Sequence, residues 1–361
     1  MLTLNKVQVR PVILPLKRPI VSKVGTFTQW PVILIDLYTD QGIVGRSYLE
    51  PYLAKAARYL KPMIEDLVEA ERGRPLAPRE MFRAAMNSLH LIGRQGLAMI
   101  ACAGLDMAAW DALAKRSGLP LAVLLGGALK PIPAYNSNGL WLVPVQELRG
   151  EAEALLAEGG FNALKLRLGR ERLDEDLQAI RAVRDVAGPE APVMCDFNQG
   201  LTLAEALHRC RALDDQGLYW FEEPIVYDDL QGLAKLTREL STPVQIGENF
   251  YGPRALHQAV AARATDLVMP DLMRIGGISG WLDAAAIAAA AGIPVSTHLY
   301  PEVCAHLMCA TETAHWLEWQ NWADPVLREP FPVEQGRIII PERPGNGIEW
   351  DEGAVAHYAA A

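Results

Sequence analysis

The sequence predicts an α/β protein: a (β/α)8-type, TIM-like barrel preceded by an α+β capping domain. Two features lead there. Residues 1 to about 50 are rich in β-formers, then give way to helical periodicity up to about residue 117. Beyond residue 128, short apolar runs alternate with Ala- and Leu-rich helical stretches, and eight such repeats is the arithmetic of a parallel barrel. The expected organisation is a capping unit over 1–127, a barrel over 128–325, and a C-terminal segment, 326–361, packing back on the capping unit.

Each element has its own signal. "VQVRPVIL" and "WPVILIDLYTDQGIVGRSYL" read as antiparallel strands, the second containing the turn "TDQG". "GLAMIACAGLDMAAWDALAKRSG" is the clearest helix, with apolar residues three and four apart and Gly118 just past its last turn. The barrel runs are "PAYNS", "ALKLRL", "PVMCDF", "YWFEEP", "VQIGE", "DLVMP", "PVSTHL" and "HWLEW". Near their C-terminal ends stand Lys165, Asp196, Glu222, Glu248, Asp271, His298 and Glu318, at gaps of 31, 26, 26, 23, 27 and 20, about one βα unit each.

Composition excludes several function classes. Half of the 361 residues are hydrophobic and the net charge is −9, which supports a packed core and disfavours nucleic acid or an anionic membrane as partner. The longest bland stretch, "DAAAIAAAAG", is too short to span a bilayer, and the N-terminal segment alternates like a strand without a secretory apolar region, so a cytoplasmic address is expected. Cys102, Cys195, Cys210, Cys304 and Cys309 lack paired spacing and read as small buried apolar residues.

The chemistry starts from "NALKLRLG". Lys165 and Arg167 sit two apart in a strand and face one way, and two buried cations demand carboxylates opposite them. A barrel supplies these, because its strand ends converge on one mouth. Asp196, Glu222 and Glu248 end three consecutive strands, and a set of carboxylates without Cys or His suits Mg²⁺. Glu223 alternates to the opposite side of its strand and reads as structural.

Asp271 beside His298 makes a general-base pair, the carboxylate fixing the imidazole tautomer. Glu318 would hydrogen-bond a developing oxyanion if burial raised its pKa. His306 and His315, away from strand ends, read as core histidines, and "RIGGISG" reads as a tight turn into a helix rather than an anion site.

With these residues in place, the chain resembles the enolase superfamily and, within it, the mandelate racemase group. The motifs are "GLDMAAWDALAK", "GLPLAVLLGG", "DFNQ", "WFEEP", "GENF", "MPDLMRIGGISGW", "STHL" and "TAHWLEW", spread over the whole length. The resemblance implies Mg²⁺ on Asp196, Glu222 and Glu248, and proton abstraction α to a carboxylate by the Asp271–His298 pair through an enediolate. It further implies Lys165 on the substrate carboxylate, Asn198 on its neighbouring oxygen, Glu318 on the opposite oxygen, and a homo-oligomer, octameric in some relatives. The covering loop would be "VSKVGTFTQW", residues 21–30, with Lys23, Thr26 and Thr28 turned to a distal polar group and Tyr52 nearby. Tyr135, Asn136, Ser137 and Trp141 are further pocket-wall candidates.

One position departs from the pattern: mandelate racemase carries K-x-K, and here the second cation is Arg167. Arginine starts near pKa 13.8, so stripping its proton at pH 7 costs about 9 kcal/mol before any environmental shift. Arg167 is therefore expected to be a clamp, leaving His298 as the one usable base. One base permits abstraction from one face followed by loss of a β-hydroxyl, so dehydration of an acid sugar to a 2-keto-3-deoxy acid is the expected reaction. A 2-hydroxy-acid racemase or epimerase is the alternative, and a non-catalytic homologue the third reading, opposed by the intact site residues.

Overall fold

The computed structural model describes residues 2–360. Its N-terminal part is a three-stranded antiparallel sheet of β1 (Leu4–Ser22), β2 (Gly25–Thr39) and β3 (Val44–Leu49), in that order. Helices Ala57–Glu71, Pro78–Ser88 and Leu97–Ser117 follow, the last packing on β3. Gly118, at φ 67°, ends it in the left-handed conformation that glycine adopts without a Cβ clash. This helix, not "DAAAIAAAAG", is the longest apolar one, and 83% of its 18-residue apolar window is buried inside the protein.

The barrel strands are β4 (Ile132–Asn136), β5 (Leu164–Arg167), β6 (Val193–Asp196), β7 (Phe221–Glu222), β8 (Val244–Ile246), β9 (Leu267–Val268) and β10 (Leu317–Trp319). They are parallel neighbours in sequence order from β4 to β9, and β10 pairs with β4. The expected run "PVSTHL" forms no continuous strand. Pro294 has no N–H to donate, and the run closes the circle through single bridges, Val295 to Val268 and Ala314, and His298 to Asp271. A hairpin of β11 (Val333–Glu334) and β12 (Arg337–Ile338) then joins β4 antiparallel.

Two aspartates of "GLDMAAWDALAK" tie the parts together. Asp106 accepts from the backbone N–H (2.8 Å) and hydroxyl (2.6 Å) of Ser279, at the start of barrel helix Gly277–Ala291. The glycines of "RIGGISG" are thus a close-approach turn, since a Cβ on Gly277 would lie 2.6 Å from Asp106 Oδ2. Asp111 accepts from the N–H groups of Arg46 on β3 and Asn346 in the C-terminal segment. That segment also reaches the capping sheet, where Trp350 Nε1 donates to Asp36 and Ile13 N to Tyr358 O.

Candidate active site

Seven of the nine non-glycine residues with positive φ among the described residues sit at this end of the molecule: Tyr52, Leu140, Asn198, Gln199, Glu223, Leu299 and Tyr300. The chain turns sharply where strands become loops, and such strained turns aim side chains into the space they enclose. That space is a cavity of about 390 Å³, lined at the strand ends by Lys165, Arg167, Asp196, Asn198, Glu248, His298 and Glu318.

Lys165 and Arg167 do find carboxylates. The Lys165 ammonium lies 2.6 Å from Glu222 Oε1, 2.6 Å from Glu318 Oε1 and 3.6 Å from Asp196 Oδ2, all buried. Burial works against its charge, but the three carboxylates outweigh it and hold the ammonium above the ordinary lysine range. Glu318 is the counterpart. Burial alone would raise its carboxyl, yet Lys165, with His298 and Arg167, brings it well below the usual carboxylate range. The condition under which Glu318 would donate to an oxyanion, a raised pKa, is thus not met: it accepts from Lys165, Ser137 Oγ (2.8 Å) and the Leu299 N–H (3.1 Å).

Arg167 is pinned. Its Nη1 donates to the Ser137 and Gly139 carbonyls at 3.1 and 3.0 Å, its Nη2 donates to Ser137 Oγ at 2.8 Å, and its guanidinium carbon lies 3.7 Å from the Trp141 ring centroid. Only Nε lacks a partner, 3.9 Å from Asp196 Oδ2. Ser137 is therefore wholly buried between Arg167 and Glu318 rather than on the cavity wall where it was expected. Tyr135 likewise lies buried, its ring 5.8 Å from the Lys165 ammonium.

His298 Nδ1 pairs with Asp271 Oδ2 at 2.7 Å, and its Nε2 lies 3.2 Å from Glu248 Oε2. Burial lowers its pKa, but Glu248 and Asp271 prevail and lift it to about 9. Asp271 itself is fully buried; it also caps the short helix Leu272–Ile275, accepting from Met273 and Arg274 N–H. The pair is thus fixed from behind, with the imidazole facing the cavity.

The carboxylates as they stand are turned to the chain's own groups, and among the described residues no three acidic or imidazole groups form a ready ion cage. Glu222 faces Lys165 and Trp220 Nε1, Asp196 accepts from Asn198, and Glu248 faces His298 and Asn249. Glu223 does not alternate away. Its φ of 36° breaks the strand period just past β7, so it is buried near Glu248 and Asp196, accepts from Asn249 Nδ2 at 2.7 Å, and leaves Oε1 without a partner.

The region expected to cover the mouth is a hairpin, not a loop. Only Lys23 and Val24 lie outside β1 and β2 there, and Ile20 pairs with Phe27 and Val21 with Thr26 across the hairpin. Alternation puts Ile20, Ser22, Val24 and Phe27 into the cavity. Lys23 does not reach it: exposed, it lies over Gly169 and Gly200 and lines a separate groove with Arg170 and Arg172. Tyr52 does line the cavity, its hydroxyl unpartnered. Sequence reasoning missed Trp30, Ile100, Met273, Arg274, Gln320 and Trp322, which also line it. Gln320 and Trp322 carried a signal, lying one and three residues past strand-end Trp319, and Trp30 ends the segment expected to cover the mouth.

Comparison with known proteins fits this geometry. Residues 147–354 match the family model "Enolase C-terminal domain-like", and residues 5–126 match the N-terminal domain of mandelate racemase / muconate lactonizing enzyme. The chain belongs to this family. It is similar to the L-talarate/galactarate dehydratase of Salmonella typhimurium, 36% identical over 264 residues, 73% of this chain and 66% of that enzyme. A magnesium-bound structure described as an enolase, from alpha proteobacterium bal199, superposes with a TM-score of 0.98 at 54% identity over 100% of both chains. A Bradyrhizobium enolase complexed with magnesium and mandelic acid superposes at 0.95, 40% identical, over 100% of this chain and 99% of that one.

Proposed function

We propose that this protein is a Mg²⁺-dependent lyase that removes the proton α to a carboxylate and dehydrates a 2,3-dihydroxy acid to a 2-keto-3-deoxy acid. The observation that carries the reading is the asymmetry of the cavity: His298 offers a movable proton, while Arg167 holds its protons on two carbonyls and a hydroxyl.

The residues fit a divalent cation. Burial raises Glu222, with Asp196, Glu318 and Glu248 adding to the rise against Lys165, and the partnerless Glu223 Oε1 shows how crowded with oxygen donors this wall is. Asp196, Glu222 and Glu248 are the proposed ligands. Mg²⁺ when bound supplies positive charge for the substrate's carboxylate oxygens and for the crowded ligands themselves.

The chain's own residues do the rest. Lys165 and Asn198 hold the substrate carboxylate on one side, and the ammonium stabilises the charge that develops there as the C2–H bond breaks. His298 Nε2 takes that proton, with Asp271 on Nδ1 keeping the ring in the acting tautomer. The imidazolium then gives its proton to the C3 hydroxyl, the C3–O bond breaks, water leaves, and the enol ketonises to the 2-keto acid. Glu318, ionised, anchors the Lys165 ammonium and the Leu299 N–H beside the base.

A racemase remains the second reading, favoured by the mandelic acid in the Bradyrhizobium structure and opposed by the pinned Arg167. A cytoplasmic homo-oligomer completes the proposal; gel filtration reads its assembly. The test of the reaction is a screen of 2,3-dihydroxy acids for 2-keto-acid release, with and without chelator. Release that stops in excess chelator and returns with Mg²⁺ supports the proposal, and full turnover in chelator contradicts it.

A further inference from the structure

Away from the charged strand ends the cavity wall is mostly apolar, with Ser22 and Tyr52 among its few polar side chains. Ile20, Phe27 and Trp30 come from the capping hairpin, Ile100 from the start of the long helix, and Met273 and Trp322 from the barrel. The aromatic rings are packed into one surface: Trp30 meets Trp322 at 4.3 Å between centroids, Tyr52 at 5.2 Å and Phe27 at 6.2 Å, all edge-on. Trp30 is held in place from behind, its Nε1 donating to buried Glu50 at 3.0 Å, so it has no donor left for a ligand. Hairpin alternation turns Lys23, Thr26 and Thr28 off the face that carries Ile20 and Phe27, so on this side only Ser22 and the Tyr52 hydroxyl offer polar contacts, and neither belongs to the Phe27–Trp30–Trp322 surface.

From this wall we infer that the substrate is a 2,3-dihydroxy acid whose end beyond C3 is apolar and ring-sized, as in 2,3-dihydroxy-3-phenylpropanoate, rather than a fully hydroxylated sugar acid. The inference rests on the reaction proposed above and narrows its substrate. A sugar acid would press hydroxyls against Phe27, Trp30 and Trp322, where they lose water and gain no partner. A phenyl group in the same place buries its own apolar surface and meets ring edges in the geometry aromatic pairs favour.

The test compares the four stereoisomers of 2,3-dihydroxy-3-phenylpropanoate with gluconate and galactonate, using the Mg²⁺-loaded protein. Exchange of the C2 proton in deuterated buffer is read by NMR and keto-acid release by a colorimetric assay. The expected result is a kcat/KM at least about 100-fold higher for one phenyl stereoisomer than for either sugar acid. Phe27→Asn, at the half-buried hairpin tip, is expected to raise KM for that phenyl acid about tenfold and narrow the preference, with kcat nearly unchanged. A preference for the sugar acids would overturn the inference and leave the reaction standing. Absence of C2 exchange in every compound would overturn the reaction, and the inference with it.

Discussion

On the barrel side of the cavity, Lys165, Arg167, Asp196, Glu222, Glu248, Asp271, His298 and Glu318 arrive from seven successive strands or strand-like runs, and ion pairs join Lys165 to Glu222 and Glu318 and His298 to Asp271. On the capping side, one hairpin delivers Ile20, Phe27 and Trp30, the two rings meeting edge-on. The first side is fixed by topology: parallel strands must converge at one mouth, whatever lies between them. At Ile20 and Phe27 the second is fixed by parity, because one residue more or less at the Lys23–Val24 turn would exchange Phe27 for its polar neighbours.

The comparison breaks most sharply at His298. His298→Asn removes the proton acceptor and leaves the apolar wall intact, so C2 exchange is expected to fall by about 10²- to 10⁴-fold while the phenyl acid still binds. Exchange is followed by NMR and binding by calorimetry; a variant that binds poorly but exchanges at the parental rate would place the base elsewhere. The effect should exceed the tenfold KM change expected of Phe27→Asn, since one side supplies chemistry and the other supplies affinity.

A smaller effect concerns the joint that holds the two sides in register. His306, buried on the helix Pro301–Cys309, accepts from the Ala122 N–H through Nδ1 and donates through Nε2 to the Asn346 carbonyl. Burial pushes it down to about 4, below its ordinary 6.5, so the unfolded chain binds the extra proton between these values. The stabilisation is fully present above pH 6.5 and is lost as pH falls toward 4, at most about 3 kcal/mol. Urea midpoints measured across that range should fall more in the parent than in His306→Gln; equal pH dependence in both would remove His306 from the account.

These differences also explain what was legible in the sequence. The strand-end residues were legible because each ended an apolar run at βα spacing, and Asp271 and His298 lie 2.7 Å apart. Glu223 was misplaced because the alternation rule was applied past the point where it holds, and Ser137 because nothing in the sequence shows what stands in front of a strand-end residue. Glu223 sits at positive φ beyond a two-residue strand, and Ser137 fills the space between Arg167 and Glu318. Lys23 was misplaced because the hairpin was read as a loop, for which alternation gives no direction. Ile100 carried no local signal, since an apolar residue in a helix looks the same facing a cavity as facing a core.

The central claim is that the site has one working base, because Arg167 spends its donors on Ser137 and Gly139 and stacks on Trp141. Mandelate tests it most directly, since its α-proton can be removed but it has no β-hydroxyl to lose. Each enantiomer is incubated separately with the Mg²⁺-loaded protein in deuterated buffer, and optical rotation and the C2 proton signal are followed together. The account predicts exchange confined to the enantiomer that presents its proton to His298, with no change in rotation for either. Efficient racemisation in both directions would show that a second base serves the opposite face, and would contradict it.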